Sequence, residues 1–103
     1  MEDNKSSKPT IVIKQEIRIY ATNRIFIVGN YLKYRFIAEV RDRKTKTGIN
    51  GGCITELSVL GEKLSESLAA FYKHEWIARA ETQKDKDACS AIIRGLEQLP
   101  LIW

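Results

Sequence analysis

The sequence predicts an α+β domain, in which an antiparallel meander of about five or six strands is covered on one face by one C-terminal amphipathic helix. Two patterns support this prediction. From Leu32 to Arg41, apolar and polar residues alternate with the period of a strand that has one buried face. Between Thr82 and Leu99, apolar residues recur at helical spacing. The 103 residues have the length of one domain.

Three strands are predicted before the first long loop. Residues 1–9 are polar and predict a disordered leader, so the domain is assigned to 10–103. After a second strand over 24–28, Gly29-Asn30 tolerates positive φ and predicts a tight hairpin turn. The third strand is the alternating stretch from Leu32 to Arg41. The first strand precedes all of these, and the apolar residues expected on its one half-buried face are Ile11, Ile13, Ile17 and Ile19.

The second half of the chain predicts further strands and then the helix. Residues 42–52 suit an exposed connection, and the irregular alternation of 53–60 predicts a fourth strand with a bulge beside the glycines. Residues 64–76 fit either a helical stripe or strands, and strands are favoured because 61–63 suits a hairpin turn. Thr82 is the expected helix cap, with Pro100 ending the helix.

Composition indicates a cytoplasmic protein. The longest run of aliphatic and aromatic residues, 25–28, is far shorter than a membrane-spanning helix, and the polar start lacks the apolar stretch of a secretory signal. Cys53 and Cys89 are expected to be free thiols. The net charge of +4 favours anionic partners without requiring them.

No enzyme chemistry is predicted, and no cofactor or metal. His74 is the one histidine, and it lies between charged neighbours without a second catalytic group. Cys53, Cys89 and His74 lack the paired spacing of zinc ligands. Gly51-Gly52 matches no phosphate-loop or dinucleotide fingerprint and is expected to form a turn or bulge.

Two groups of residues are candidate contacts. Basic side chains that suit phosphate or nucleic acid, or else a solvated loop, are Arg41, Arg43, Lys44 and Lys46, with Lys33 and Arg35 on the adjoining strand. The apolar residues Leu101, Ile102 and Trp103 follow the helix. They are expected either to fold back onto the domain or to enter an interface with a partner protein or a second copy of the chain.

The run 48–59, GINGGCITELSV, resembles the Gly-Ile-x-Gly-Gly-Arg-Ile-x-x-Leu-x-Ile signature of a family of small uncharacterised proteins from Gram-positive bacteria and their phages. A Tyr-Asp-Arg-Gly-Trp segment of that family is matched in spacing by residues 72–76. Cys53 and His74 stand where the family has arginines, and Glu75 where it has glycine, so no role of those residues is carried over. The resemblance implies an antiparallel sheet followed by one helix, in a phage or mobile-element setting.

The resulting functional expectation is a non-enzymatic binding protein. In the setting that the resemblance implies, it is an accessory or counter-defence factor that occupies a host protein. The alternative is a protein that binds nucleic acid or a nucleotide phosphate through the basic loop. Either function is compatible with a homodimer, and no membrane partner is expected.

Overall fold

Six strands and one α-helix form the described part of the chain, residues 10–61 and 68–99 of a computed structural model. Each strand pairs antiparallel with its neighbours in sequence, so the sheet order is β1-β2-β3-β4-β5-β6 and the predicted α+β meander is confirmed. The elements are β1 Val12–Ile19, β2 Arg24–Tyr31, β3 Tyr34–Arg41, β4 Ile54–Leu60, β5 Leu68–Lys73, β6 Trp76–Ala78 and α1 Gln83–Glu97. The predicted leader, the 61–63 turn beyond Gly61 and the 101–103 tail lie outside the described residues.

The core lies between one face of the sheet and α1. The four alternating residues of β3 are buried as the sequence predicts: Tyr34, Phe36, Ala38 and Val40. From α1, Ile92 and Leu96 are fully buried in the same cluster, and Ile93 is half-buried at its margin. The sheet face that α1 does not cover is called the open face below.

Local hydrogen bonds fix the start of α1. The Thr82 hydroxyl accepts from the Asp85 backbone N–H at 3.1 Å, which confirms the predicted cap. The Tyr34 hydroxyl donates to Asp85 Oδ1 at 2.6 Å and ties the first turn of α1 to β3. With 15 residues and many charged side chains, α1 is neither long nor apolar enough to cross a bilayer, and no other α-helix occurs in the described residues.

The predicted turn at Gly29-Asn30 is wrong, since both residues lie within β2. The chain instead reverses at 32–33, where Leu32 adopts a φ of 54° and Tyr31 pairs with Tyr34. Gly29 instead allows the Val12 carbonyl and the Phe36 ring to approach its backbone closely. A Cβ there would lie 2.3 Å from the Val12 carbonyl oxygen and 2.8 Å from the Phe36 ring.

The prediction of one half-buried isoleucine face in β1 is also wrong. A register shift between Ile13 and Gln15 makes Lys14 a bulge residue, so the alternation changes face there. Ile17 lies opposite Phe26 on the open face, whereas Ile13 lies opposite Gly29 on the other. Most of β1 is solvent-exposed because the described residues place no further strand or helix over it.

The region left ambiguous by sequence is resolved for residues 68–76. It contains β5 and the start of β6, so the preference for strands is confirmed there, and Leu64 lies outside the described residues. The predicted bulge in the fourth strand is confirmed as well. Glu39 pairs with Glu56 and Val40 with Ile54, which leaves Thr55 as the extra residue.

The open face carries a nearly buried carboxylate. Glu39 is 4% exposed and accepts hydrogen bonds from Arg24 Nε at 2.8 Å and Nη2 at 3.1 Å. Arg41 Nη2 lies 3.6 Å from the same carboxylate. Burial opposes ionisation of Glu39, but the hydrogen bond and charge of Arg24 outweigh it and lower the pKa of Glu39.

This ion pair predicts a pH dependence of stability. Because the folded-state pKa lies below the ordinary value of 4.5, the stabilisation is complete above that value and is lost as the pH falls through the folded-state pKa. Glu39→Gln is expected to flatten the acid side of the stability curve. Urea unfolding of parent and variant over a pH series measures this, and parallel curves from neutral to acid pH would contradict the assignment.

Candidate functional site

A groove of 550 Å³ lies beside α1 and is called the α1 groove below. Its lining comes from three segments of the chain: Ile49 and Asn50, Trp76 to Ala80, and one side of α1 from Lys86 to Ile93. A smaller cavity of 240 Å³ shares Ile49, Asn50 and Ile93 and extends along α1 to Lys44 and Glu97. The two cavities therefore form one elongated depression along the helix.

The glycine-rich loop that carries the family resemblance forms one wall of this depression. Ile49 is buried in the core, and Gly48 and Gly52 are buried beside it, so the prediction of an exposed connection over 42–52 is wrong at these positions. A Cβ at Gly48 would lie 1.9 Å from the Gly52 carbonyl oxygen. Asn50 and Gly51 adopt φ values of 54° and 72°, which glycine and asparagine tolerate best.

Two contacts hold this wall against the helix and the sheet. Glu97 of α1 accepts from the Cys53 backbone N–H at 3.0 Å through Oε2. The Tyr72 hydroxyl donates to the Thr47 carbonyl at 2.8 Å, which anchors the start of the loop to β5. These two hydrogen bonds hold the loop backbone in place, so the loop forms a fixed wall of the groove.

Trp76 supplies the aromatic surface of the α1 groove. Its ring is half-buried and meets the Tyr72 ring edge-on, with centroids 5.1 Å apart at 73°. The Arg79 guanidinium carbon lies 5.4 Å from the Trp76 centroid, within cation–π distance. Tyr72 and Arg79 together restrict the orientation of the indole.

The rim of the α1 groove is cationic. Arg79 and Lys86 are both exposed and line the same cavity. Among residues 10–61 and 68–99, no carboxylate forms an ion pair with either of them. The rim therefore offers two positive charges beside an apolar surface made by Trp76, Ile49 and Ile93.

Neither cysteine is suited to act as a nucleophile in this groove. Both thiols are free, as expected, and Cys89 is a nearly buried residue of the groove lining. Burial, with a contribution from the Asp85 charge, raises the pKa of Cys89 to about 11. Burial and the neighbouring Glu97 also raise the pKa of Cys53. Both side chains stay protonated thiols at neutral pH.

The predicted basic cluster is divided by the structure. Lys33 and Arg35 lie at the β2–β3 turn, and Arg41 lies at the other end of β3, about 20 Å away at roughly 3.3 Å per residue. Arg43, Lys44 and Lys46 are exposed in the loop after β3, as expected. Lys44 lines the far end of the depression beside α1, so the six residues form no single patch.

Arg41 and Arg43 instead line a separate polar cup of 310 Å³. Its other lining side chains are Thr22, Asn23, Asp42, Thr45, Thr47, Thr55 and His74. Arg43 Nε donates to Asp42 Oδ1 at 3.3 Å, and Arg41 Nη1 donates to the Thr22 carbonyl at 3.2 Å while its other terminal nitrogen faces Glu39. Asp42 therefore offsets the charge of Arg43, whereas Arg41 shares the single charge of Glu39 with Arg24.

Sequence reasoning placed none of the α1 groove residues in a site. Of these, Ile49 and Asn50 had a signal because they lie in the run 48–59, and Trp76 had one because it ends the second segment that resembles the family. The described residues contain no cluster of three or more His, Cys, Asp or Glu side chains with metal-holding geometry. His74 is exposed in the β5–β6 turn with a φ of 62°, and it shares the polar cup with Arg41 and Arg43.

Comparison with known proteins gives no relative. No family model, curated protein or solved structure matches the chain, so the resemblance of run 48–59 to the small bacterial and phage family rests on the quoted residues alone.

Proposed function

We propose that the chain is a non-enzymatic binding protein that occupies a partner protein by holding an extended acidic segment of it in the α1 groove. The observation that carries the proposal is the pair of rim cations, Arg79 and Lys86, which line the same groove as Trp76 and form no ion pair within the described residues. In the setting implied by the family resemblance, the partner is a protein of the host of a phage or mobile element.

The groove chemistry specifies the segment. Trp76, Ile49 and Ile93 favour one aliphatic or aromatic side chain, whose burial supplies affinity. Arg79 and Lys86 favour carboxylates on either side of it, which fix orientation and reject basic segments. A peptide with an apolar residue between Asp or Glu residues satisfies both conditions.

The alternative, phosphate or nucleic-acid binding by the predicted basic residues, has weaker support. Arg41 and Arg43 each lie near a carboxylate of the chain, Glu39 and Asp42 respectively, which weakens their attraction for an anion. The distance along β3 separates Lys33 and Arg35 from the loop cations. Nucleic-acid affinity depends on several cations contacting successive phosphates, which favours a continuous basic stripe.

Selection from a random peptide display library on the immobilised protein tests the proposed function. Enriched peptides are expected to place Asp or Glu around an aromatic or aliphatic residue. Lys86→Glu should weaken the best peptide by about tenfold or more, because a rim attraction becomes a repulsion. The matched control is Lys46→Glu, which makes the same charge change at a residue that lines neither cavity. Enriched peptides without acidic residues, or equal losses from both variants, would contradict the proposal.

A second measurement decides between the two candidates. The triple variant with Arg43, Lys44 and Lys46 changed to Gln is expected to match the parent in folding, because all three residues are exposed. If the parent binds single- or double-stranded DNA or RNA at about 50 mM salt and the triple variant does not, the nucleic-acid alternative replaces the groove proposal.

A further inference from the structure

The two edges of the sheet differ in length. β6 forms one edge with three residues, Trp76–Ala78, whereas β1 forms the other with eight, Val12–Ile19. Short edge strands protect a sheet from pairing with other chains, but long apolar ones invite it. β1 is exposed along most of its length, and Ile17 keeps 45% of its surface in water. No other described strand pairs with its outer side.

Only part of β1 has a regular edge. The bulge at Lys14 interrupts the first residues, and such bulges weaken pairing beyond the sheet. From Gln15 to Ile19, by contrast, pairing with β2 continues without a shift. This regular stretch of five residues has Ile17 at its centre.

We propose that β1 pairs antiparallel with β1 of a second copy of the chain, with the two-fold axis at Ile17. The pairing joins the two sheets edge to edge into a symmetric dimer in which the same surface serves both subunits. This inference is independent of the proposed groove function, because β1 contributes nothing to the α1 groove.

Charge complementarity selects this partner and this register. With Ile17 opposite its own copy, Glu16 of each chain faces Arg18 of the other, so two ion pairs form across the edge. The two Ile17 side chains meet on the open face, where each is half-exposed in a single chain. Gln15 and Ile19 then lie opposite each other at both ends of the stretch.

Neighbouring registers are less favourable. An axis at Glu16 would put two like charges directly opposite, which destabilises antiparallel pairs. An axis at Gln15 would require pairing through Lys14, the bulge residue. Within one chain Arg18 and Glu16 form an ion pair with each other, so both side chains already lie on the same side of the strand.

The dimer would leave both α1 grooves accessible. The groove takes Trp76 and Arg79 from the β6 end of the sheet, and β6 is the edge opposite β1. Edge-to-edge pairing therefore places the two grooves toward the far ends of the joined sheet. A partner with two acidic segments would then bind with increased avidity.

Charge reversal across the pair tests the proposal by sedimentation equilibrium. The parent is expected to be dimeric at about 100 μM, and Arg18→Glu or Glu16→Arg alone should raise the dimer Kd roughly tenfold or more, because both cross-edge pairs become repulsive. The double variant Glu16→Arg with Arg18→Glu restores opposite charges and is expected to recover the parent Kd. Arg35→Glu, an exposed strand position away from the edge, is the matched control and should change nothing.

Amide hydrogen exchange adds a readout that only edge pairing would move. The outward backbone N–H groups of 15–19 should exchange more slowly as the protein concentration rises. A monomeric parent, single reversals without effect, or a double variant as weak as the single ones would overturn the inference. The inference would also be overturned if the protein dimerised but its 15–19 amides exchanged as fast at high concentration as in dilute, monomeric solution.

Discussion

Phe36→Ala is expected to lower the free energy of unfolding by about 3–5 kcal/mol, the usual cost of deleting a fully buried aromatic ring. Phe36 is 0% exposed and lies at the centre of the sheet, between Gly29 on β2 and Val59 on β4. Gly29 has no side chain to move into the cavity, and a Cβ there would already touch the ring. The cavity can therefore close little.

Phe71→Ala is the matched control for this loss. Phe71 is half-buried on the open face, so removing the same ring there leaves no enclosed cavity and should cost clearly less. Urea unfolding measures both values. Phe36→Ala should also melt at least ~12 °C below the parent, given the size of the domain. Equal losses in the two variants would show that Phe36 is not the centre of the core.

Gly48→Ala is expected to cost about 2–4 kcal/mol through steric conflict and a lost backbone hydrogen bond. The new Cβ would lie 1.9 Å from the Gly52 carbonyl oxygen. That oxygen accepts a hydrogen bond from the Thr45 N–H at 2.9 Å. Moving it away from the new Cβ would break this bond and open the loop that holds Ile49 in the core. Gly48 itself has an ordinary φ of −75°, which separates the steric effect from backbone strain.

Gly51→Asn provides the control in the same loop. No atom lies within 4 Å of a Cβ at Gly51, and asparagine tolerates the positive φ of 72° better than most residues. The change should cost less than about 1 kcal/mol. Thermal and urea unfolding of the two variants compare them directly. A Gly48→Ala variant as stable as Gly51→Asn would contradict the tight loop and the groove wall built on it.

The parts of the fold that were predictable have strong local signals. Thr82 is a capping residue followed by an apolar stripe, and α1 begins after it. The alternation around Phe36 has the period of a strand, and β3 buries the expected face. In both cases local propensity and burial favour the same conformation, so sequence alone is sufficient.

The errors occurred where tertiary packing overrides local propensity. Gly29 looks like a turn residue, but its lack of a side chain serves the close approach of Phe36 and the Val12 carbonyl. The actual turn uses Leu32 at positive φ, which no propensity scale favours. In β1, a single bulge at Lys14 reversed the face of the residues on one side of it.

The candidate site was still harder to predict. Its lining joins residues around Ile49, Trp76 and Lys86, which lie far apart in the sequence and meet only through the packing of α1 beside the glycine loop. Conversely, Arg35 and Arg41 are close in sequence but lie at opposite ends of β3. Clustering in sequence indicated a common patch that an extended strand does not form.

Mapping of amide chemical shifts tests the central claim most directly, because it locates the bound segment on the protein. The probe is an acidic peptide with one central aromatic residue, titrated into the labelled chain. The Trp76 indole N–H and the amides of residues 49–50, 79–80 and 86–93 are expected to shift together and saturate with one Kd. Trp103→Phe removes the second indole signal and makes the Trp76 assignment unambiguous. Shifts confined to the polar cup around Arg41 and His74, or no saturable shift in the groove, would contradict the account.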